Sequence, residues 1–303
     1  MSEKRAIPAS IKVGLPQAKG ELPPVPGSQS LAAPVITEAQ RKRKGEPVDH
    51  GHPATKVVGY IALVLTVLMI MVPLYFIFIT SFKSFQDVYS DPISFWPNPF
   101  KAENYSYVWQ TSGFSSYLRN SIIITLILTV VEVVLGVLTA YAFAFIRFPG
   151  RNLLFLLIIA SLMVPNQITI ISNYSLVASW GWRDTYAGVI IPLAGVAFGA
   201  FLMRNHFQSL PPEILEAARM DGAGFFTTLF RVVLPMSWPT LSAFVLITVV
   251  NEWNQYLWPF LITDTPAAAT LPVGLTRLQD AEGVTNWAPV MAGTVLTLSL
   301  IHI

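Results

Sequence analysis

The sequence predicts an all-α membrane protein with six transmembrane helices, and three observations together lead to this fold class. Apolar residues make up 53% of the 303-residue chain. Charged residues make up only 12%, about half of the fraction that soluble domains carry. The apolar residues also occur in runs long enough to cross about 30 Å of hydrocarbon as helices. Because so few charges cannot keep so much apolar surface in water, we expect lipid to be part of the solvent.

The first 56 residues differ from the rest and predict a disordered, basic, cytoplasmic arm. This segment is rich in Pro, Gly, Ser, Lys and Glu and has no sustained apolar period. It carries nine Lys or Arg residues against five Asp or Glu residues. We interpret the run Arg41-Lys42-Arg43-Lys44 as a charge that keeps the arm in the cytoplasm beside a first membrane helix. A nucleic-acid partner is therefore not expected.

Six apolar runs follow, and residues 57–303 are interpreted as the transmembrane domain. The first run has no charge, the second is interrupted only by Glu132, and the third has Pro165 near its end. The sixth stops after about 16 residues, short of the roughly 20 that a spanning helix needs, so the sixth helix is expected to be truncated. The predicted helices cover residues 57–80, 121–146, 152–172, 186–203, 241–262 and 288–303.

The distribution of Lys and Arg predicts that the N-terminus lies in the cytoplasm. With the arm placed inside, the cytoplasmic segments hold 14 Lys or Arg residues and the outer segments hold 5. Cytoplasmic loops of membrane proteins carry such an excess. Most of the excess lies in the arm itself, and Arg147 and Arg151, directly after the second helix, add local support.

The loop between the fourth and fifth helices, residues 209–239, predicts a helix–turn–helix on the cytoplasmic face. Pro211 and Pro212 suit a first helical turn, and Glu213 lies where the helix dipole favours an anion. Asp221-Gly222 then ends the helix, because glycine adopts a positive φ without strain. A second short helix is expected near residues 225–233. The first helix could rest on lipid headgroups, but its acidic side chains favour docking to another protein.

Several motifs in this loop and around it carry a family resemblance. The motifs are Glu216-Ala217-Ala218, Asp221-Gly222-Ala223, Leu234-Pro235, Pro239, Arg147-Phe148-Pro149-Gly150-Arg151, Met163-Val164-Pro165 and Asn254-Gln255-Tyr256-Leu257-Trp258-Pro259. With these motifs the loop resembles the EAA loop of ABC importer permeases. The chain over about residues 57–297 is similar to the maltose-type carbohydrate permeases, which include the sn-glycerol-3-phosphate permeases.

The resemblance implies a non-catalytic subunit in the plasma membrane of a prokaryote. Its implied partners are a second permease subunit, two cytoplasmic ATPase subunits and an extracytoplasmic sugar-binding protein, besides membrane lipid. It also implies that the EAA helix couples to an ATPase, with Glu216 paired to a basic residue, Ala217 and Ala218 allowing close approach, and Asp221-Gly222 forming the turn. The sequence contains no G-x-x-x-x-G-K-[ST] motif for ATP phosphates, so the energy must come from another chain. We expect no cofactor and no metal.

Polar residues inside the apolar runs are candidates for the substrate path. Asn251, Asn254, Gln255 and Trp258 share one face of the fifth predicted helix by their i, i+3, i+4, i+7 spacing. Amides and an indole suit the hydroxyl groups and the ring face of a sugar. Glu132 lies near the middle of the second helix. The alternative for all five is hydrogen bonding between helices of the bundle.

Two other functions compete with the permease. An ion-gradient-driven secondary transporter would use Glu132 and Glu252 as proton sites. An intramembrane enzyme has little support, because the sequence contains neither H-E-x-x-H nor G-x-S-x-G. Which sugar is carried does not follow from the sequence. Helices without Lys or Arg favour a neutral sugar over sn-glycerol-3-phosphate, which stays the alternative substrate.

Overall fold

The computed structural model describes residues 53–111, 113–279 and 283–301, and every regular element in these ranges is helical. The all-α prediction is therefore confirmed for this part of the chain. Residues 1–52, which make up nearly all of the predicted arm, lie outside the described ranges. The first helix begins at Pro53, a few residues before the predicted start.

The helices are numbered in chain order. They are α1 Pro53–Thr80, α2 Phe85–Val88, α3 Glu103–Thr111, α4 Phe114–Phe145, α5 Arg151–Leu162, α6 Asn166–Ser179, α7 Tyr186–Leu193, α8 Ala197–Gln208, α9 Pro212–Met220, α10 Phe225–Thr228, a π-helical turn Leu229–Val233, α11 Leu234–Met236, α12 Trp238–Trp253, α13 Leu257–Ile262, α14 Leu271–Thr276 and α15 Trp287–Ile301. Residues 53–64, the start of α1, belong to a different unit from residues 65–301.

Among the described residues, two helices are each long and apolar enough to cross a membrane: Lys56–Thr80 and Phe114–Phe145. Three further pairs would qualify if each bent pair counted as one span, which gives up to five. The bends measure 95° between α5 and α6, 43° between α7 and α8, and 84° between Phe225–Met236 and Trp238–Ile262. α15 is shorter, so the six-span count stays a prediction.

Three of the predicted straight helices are broken, and most of the breaks coincide with proline or glycine. The predicted helix 152–172 divides into α5 and α6 where Pro165 caps α6 in an extended conformation. The predicted helix 186–203 divides at Gly195 and continues to Gln208. The predicted helix 241–262 is interrupted between Trp253 and Leu257, before Pro259. A proline lacks the amide hydrogen and collides with the carbonyl four residues back, so it disfavours a continuous helix.

The centre of the bundle is a close crossing of α4 and α8 at two glycines. A Cβ atom on Gly136 would lie 3.1 Å from the Cα atom of Gly199. A Cβ atom on Gly199 would lie only 2.2 Å from the ring of Phe244, on α12. Small residues let helix backbones approach closely in membranes, where van der Waals packing drives association. A methyl group added at either glycine would therefore require the Phe244 ring or the facing backbone to shift.

A polar anchor near the start of α4 fixes the segment that leads into α14. Asn120 is fully buried, and its Nδ2 atom donates to the carbonyl oxygens of Pro266 at 2.9 Å and Ala269 at 3.0 Å. Its Oδ1 atom accepts from the hydroxyl of Tyr186 at 2.6 Å. The buried amide is thus bonded through both ends, as burial of a polar group requires.

Candidate functional site

Helix α9 ends in a hydrogen-bonded turn at Gly222. The φ angle of Gly222 is +73°, and its amide donates to the carbonyl of Arg219 at 3.0 Å. The amide of Ala223 reaches back to the carbonyl of Ala218 at 2.9 Å. This pair of bonds is the Schellman motif, which satisfies the last free carbonyls of a helix and places glycine at the left-handed position. The predicted helix end and its left-handed glycine are therefore both present.

One side of α9 packs on the bundle and the other is exposed. Ala218 is only 8% exposed, and Leu215 packs against the buried cluster that Met203, Phe207 and other residues of α4 and α8 form. Glu216, Ala217, Asp221 and Gly222 are exposed. The expectation that a partner could approach both alanines is therefore wrong for Ala218. It lies at the contact with the chain's own core, because the helix has to bury one face to stay docked.

An apolar surface continues from the end of α9 onto the next helix. Met220 is 88% exposed, Phe226 65% and Phe230 58%. The ring of Phe225 meets Tyr141 of α4 edge-on at 4.6 Å, which ties this helix to the bundle. Phe230 lies in the π-helical turn, a rare form that occurs frequently at functional sites. Phe226 and Phe230 are not among the residues predicted for this site, although two phenylalanines in a loop with polar flanks indicate an exposed apolar surface.

Glu132 bonds inside the bundle. Its Oε1 atom accepts from the amide of Gly195 at 3.3 Å. The same amide also donates to the carbonyl of Leu193 at 2.6 Å, so the carboxylate is a second acceptor at the break between α7 and α8. Glu132 is half-buried. This geometry favours hydrogen bonding between helices, one of the two roles weighed for Glu132.

Buried polar side chains occur in pairs on α4 and on α12. Thr125 and Thr129 lie one turn apart on α4, and Thr248 and Glu252 lie one turn apart on α12. All four are less than 10% exposed. Within the described residues, the hydroxyls of Thr125 and Thr129 and the Oε2 atom of Glu252 have no hydrogen-bond partner. Glu252 and these threonines are not among the residues predicted for the substrate path, although the i, i+4 spacing within each pair indicates a shared helix face.

The four path candidates after residue 250 do not share one helix face. Helix α12 ends at Trp253, and Asn254 caps it, with its Nδ2 atom donating to the carbonyl of Val250 at 2.7 Å. Trp258 lies on α13, where it is 5% exposed and its Nε1 atom donates to the carbonyl of Gly188 at 3.1 Å. The predicted common face is therefore wrong, because the helix breaks between these positions. Asn251 and Asn254 are exposed, whereas Gln255 is half-buried.

Among the described residues, no group of three or more His, Cys, Asp or Glu side chains could hold a metal ion. The arrangement offers hydrogen-bonding groups inside the bundle and an exposed face on α9.

Comparison with known proteins identifies relatives over most of the chain. The family described as "Binding-protein-dependent transport system inner membrane component" matches residues 132–303. The sn-glycerol-3-phosphate transport system permease protein UgpE of Yersinia pestis bv. Antiqua is 37% identical over 246 residues, which cover 79% of this chain and 88% of the relative. The protein of the same name from Brucella suis biovar 1 is 33% identical over 254 residues, covering 81% and 90%.

Two solved structures share the fold. One is a bacterial ABC transporter involved in the import of the acidic polysaccharide alginate, with a TM-score of 0.71 and 24% identity over 84% of this chain and 95% of that one. The other is a bacterial alginate ABC transporter in complex with an alginate pentasaccharide-bound periplasmic protein, with a TM-score of 0.64 and 12% identity over 82% and 91%. At these identities the likeness concerns the fold alone.

Proposed function

We infer that this chain, which belongs to the family of inner membrane components of binding-protein-dependent transport systems, is the permease subunit of an ATP-driven importer of carbohydrates. The observation that carries the coupling role is α9, a short helix fixed to the bundle on one side and exposed on the other. Such a helix can transmit a movement of a bound ATPase to the membrane helices that it packs against.

In this proposal, α9 is the coupling helix of the EAA loop, residues 209–239. Glu216 and Ala217 face the ATPase together with Met220, while Ala218 holds the helix on the bundle. Asp221 and Gly222 form the turn that sets the direction of the next helix. The ATPase resides on a partner chain, because this sequence lacks the phosphate-binding motif.

We further propose six membrane spans with the N-terminus in the cytoplasm. The three bent pairs each count as one span, and α15 belongs to the sixth. The orientation rests on the excess of Lys and Arg in the segments that it places inside. α9 then lies on the cytoplasmic side, where an ATPase can reach it.

The second half of the importer comes from other chains. Apolar side chains of α1 are exposed along its length, which suits contact with lipid or with a second permease subunit. Two ATPase subunits and an extracytoplasmic binding protein complete the proposed assembly. One of the two solved transporters of this fold is in complex with a periplasmic protein, and this supports the last of these partners.

The substrate proposed here is a neutral carbohydrate. The polar groups buried in α4 and α12 include threonines and the carboxyl group of Glu252, which suit hydroxyls. Residues 121–146 and 241–262 contain no Lys or Arg that would attract a phosphate. The curated relatives are named for sn-glycerol-3-phosphate, which is therefore the second candidate.

Reconstitution of the complete importer in proteoliposomes tests this proposal. We expect uptake that requires ATP and the binding protein, with neutral glycosides competing better than sn-glycerol-3-phosphate. An ionophore that collapses ion gradients serves as the control and should leave uptake unchanged. Uptake that follows an ion gradient without ATP would establish the secondary-transporter alternative instead. A reversed order of competition would assign the substrate to sn-glycerol-3-phosphate while leaving the permease role intact.

A further inference from the structure

Three arginines gather at the end of α4 and the start of α5. Arg147 and Arg151 line an open cavity of about 350 Å³, together with Phe148, Gly150, Asn152 and Leu153. Arg204, on α8, is close enough to Arg151 for their charges to interact. Like charges repel, so such a gathering needs either fixed side chains or a bound anion to stabilise it.

Two of these side chains are held in place by neutral groups of the chain itself. The Nε atom of Arg204 donates to the carbonyl of Phe143 at 3.2 Å, and its guanidinium lies 3.9 Å above the ring of Phe155. Arg151 donates through an Nη atom to the carbonyl of Ile146 at 3.3 Å. Guanidinium groups stack on aromatic faces and present a planar set of donors to oxyanions. The contacts therefore position the arginines without neutralising them.

No carboxylate among the described residues lies within 4.0 Å of any of the three arginines. The ion pairs found in that part of the chain are Lys101–Glu103 and Arg183–Asp264. The net positive charge at this cavity is thus uncompensated within the described chain. An anion is the complementary ligand.

The surface next to the arginines is apolar. Leu153, which lines the cavity, is 63% exposed, and Leu154, Leu156 and Leu157 are 47%, 59% and 57% exposed. A free phosphate ion would make no use of this surface. A ligand with a phosphate at one end and hydrocarbon at the other would contact both the arginines and the leucines.

We propose that Arg147, Arg151 and Arg204 bind the phosphate group of an anionic phospholipid whose acyl chains lie along α5. The location at headgroup level rests on the membrane orientation proposed above. Basic pockets between transmembrane helices on the cytoplasmic side bind acidic lipid headgroups. Each arginine near such a surface contributes about a fivefold gain in affinity.

Native mass spectrometry of the full chain in detergent tests the site. The probes are dioleoyl phosphatidylglycerol and dioleoyl phosphatidylcholine. We expect phosphatidylglycerol to bind preferentially, and the double substitution Arg151→Gln with Arg204→Gln to weaken it about 25-fold. Arg231→Gln is the matched control, since Arg231 is an exposed arginine outside the cavity. An unchanged preference in the double variant overturns the proposal.

Two further arms separate the alternatives. The pair Arg151→Lys with Arg204→Lys keeps the charge, so it should retain most of the preference even if the glutamine pair folds poorly. Loss of the preference in a folded lysine pair would contradict charge recognition.

Inorganic phosphate at millimolar concentration should not displace the lipid. Displacement by it, or an unchanged lipid affinity in Leu153→Asn, would assign the site to a free anion and overturn the lipid proposal. Loss of ATPase binding with intact lipid preference would assign the arginines to an acidic protein surface, which also overturns it.

Discussion

Replacing Gly222 by valine perturbs the turn after α9 without displacing any neighbouring atom. A Cβ atom at this position would find nothing within 4 Å, so the substitution creates no collision. The backbone, however, has a φ of +73°, which side chains with a Cβ atom disfavour. The cost is roughly 1–2 kcal/mol for an ordinary residue, and a β-branched side chain belongs at the upper end.

Relief of this strain would break the turn. If the residue returns to a negative φ, the bonds from Gly222 to Arg219 and from Ala223 to Ala218 are lost. A cost of about 1.4 kcal/mol corresponds to a tenfold lower population of the intact turn relative to its alternatives. We therefore expect about tenfold slower ATP-driven uptake, with the membrane helices still inserted.

Gly224→Val is the matched control. Gly224 lies two residues further on and also has nothing within 4 Å of a Cβ atom, but its φ is −72°. Uptake in proteoliposomes is measured beside membrane insertion by protease protection, so that loss of coupling is distinguished from loss of the protein. Equal uptake in the two valine variants would refute the role given to the turn. Gly222→Asn should recover part of the activity, since Asn tolerates the left-handed region.

Three further predictions concern the docking helix, the helix crossing and the substrate path. Glu216→Lys should weaken binding of the ATPase more than Glu213→Lys does, because charge reversal at a docking contact sets like charges against each other. If the ATPase binds both variants equally well, Glu216 is not part of the contact. Gly199→Ala should lower the stability of the assembled protein by about 1–3 kcal/mol, because the added methyl group collides with the ring of Phe244 on α12. The thermal midpoint of unfolding measures this loss, and Gly59→Ala is the control, since a Cβ atom at Gly59 has nothing within 4 Å. Asn251→Cys, in a chain that has no other cysteine, should react with a thiol reagent at different rates in the resting and ATP-bound importer, whereas equal rates would remove Asn251 from the path.

Features set by short-range chemistry were predictable from the sequence. The end of α9 depends only on a glycine at the left-handed position after good helix formers, so it could be located to the residue. The burial of Ala218 could not, because it depends on residues of α4 and α8 that are far away in sequence. The shared helix face predicted for Asn251, Asn254, Gln255 and Trp258 does not form, and the reason is local. Pro259 disfavours continuation through Gln255, four residues before it, and this signal outweighs the i, i+3, i+4, i+7 spacing.

The Gly136–Gly199 crossing has a mechanical consequence for a protein that must open to both sides of a membrane. The backbone of Gly199 and the ring of Phe244 both pack close to Gly136, so α4 and α8 cannot approach further without moving that ring. At this contact the two helices can change their crossing angle but cannot slide along each other. The angular change of a transport cycle then falls on the breaks in the helices, and the break at Gly195, where α7 and α8 meet at 43°, is one such joint on α8 itself.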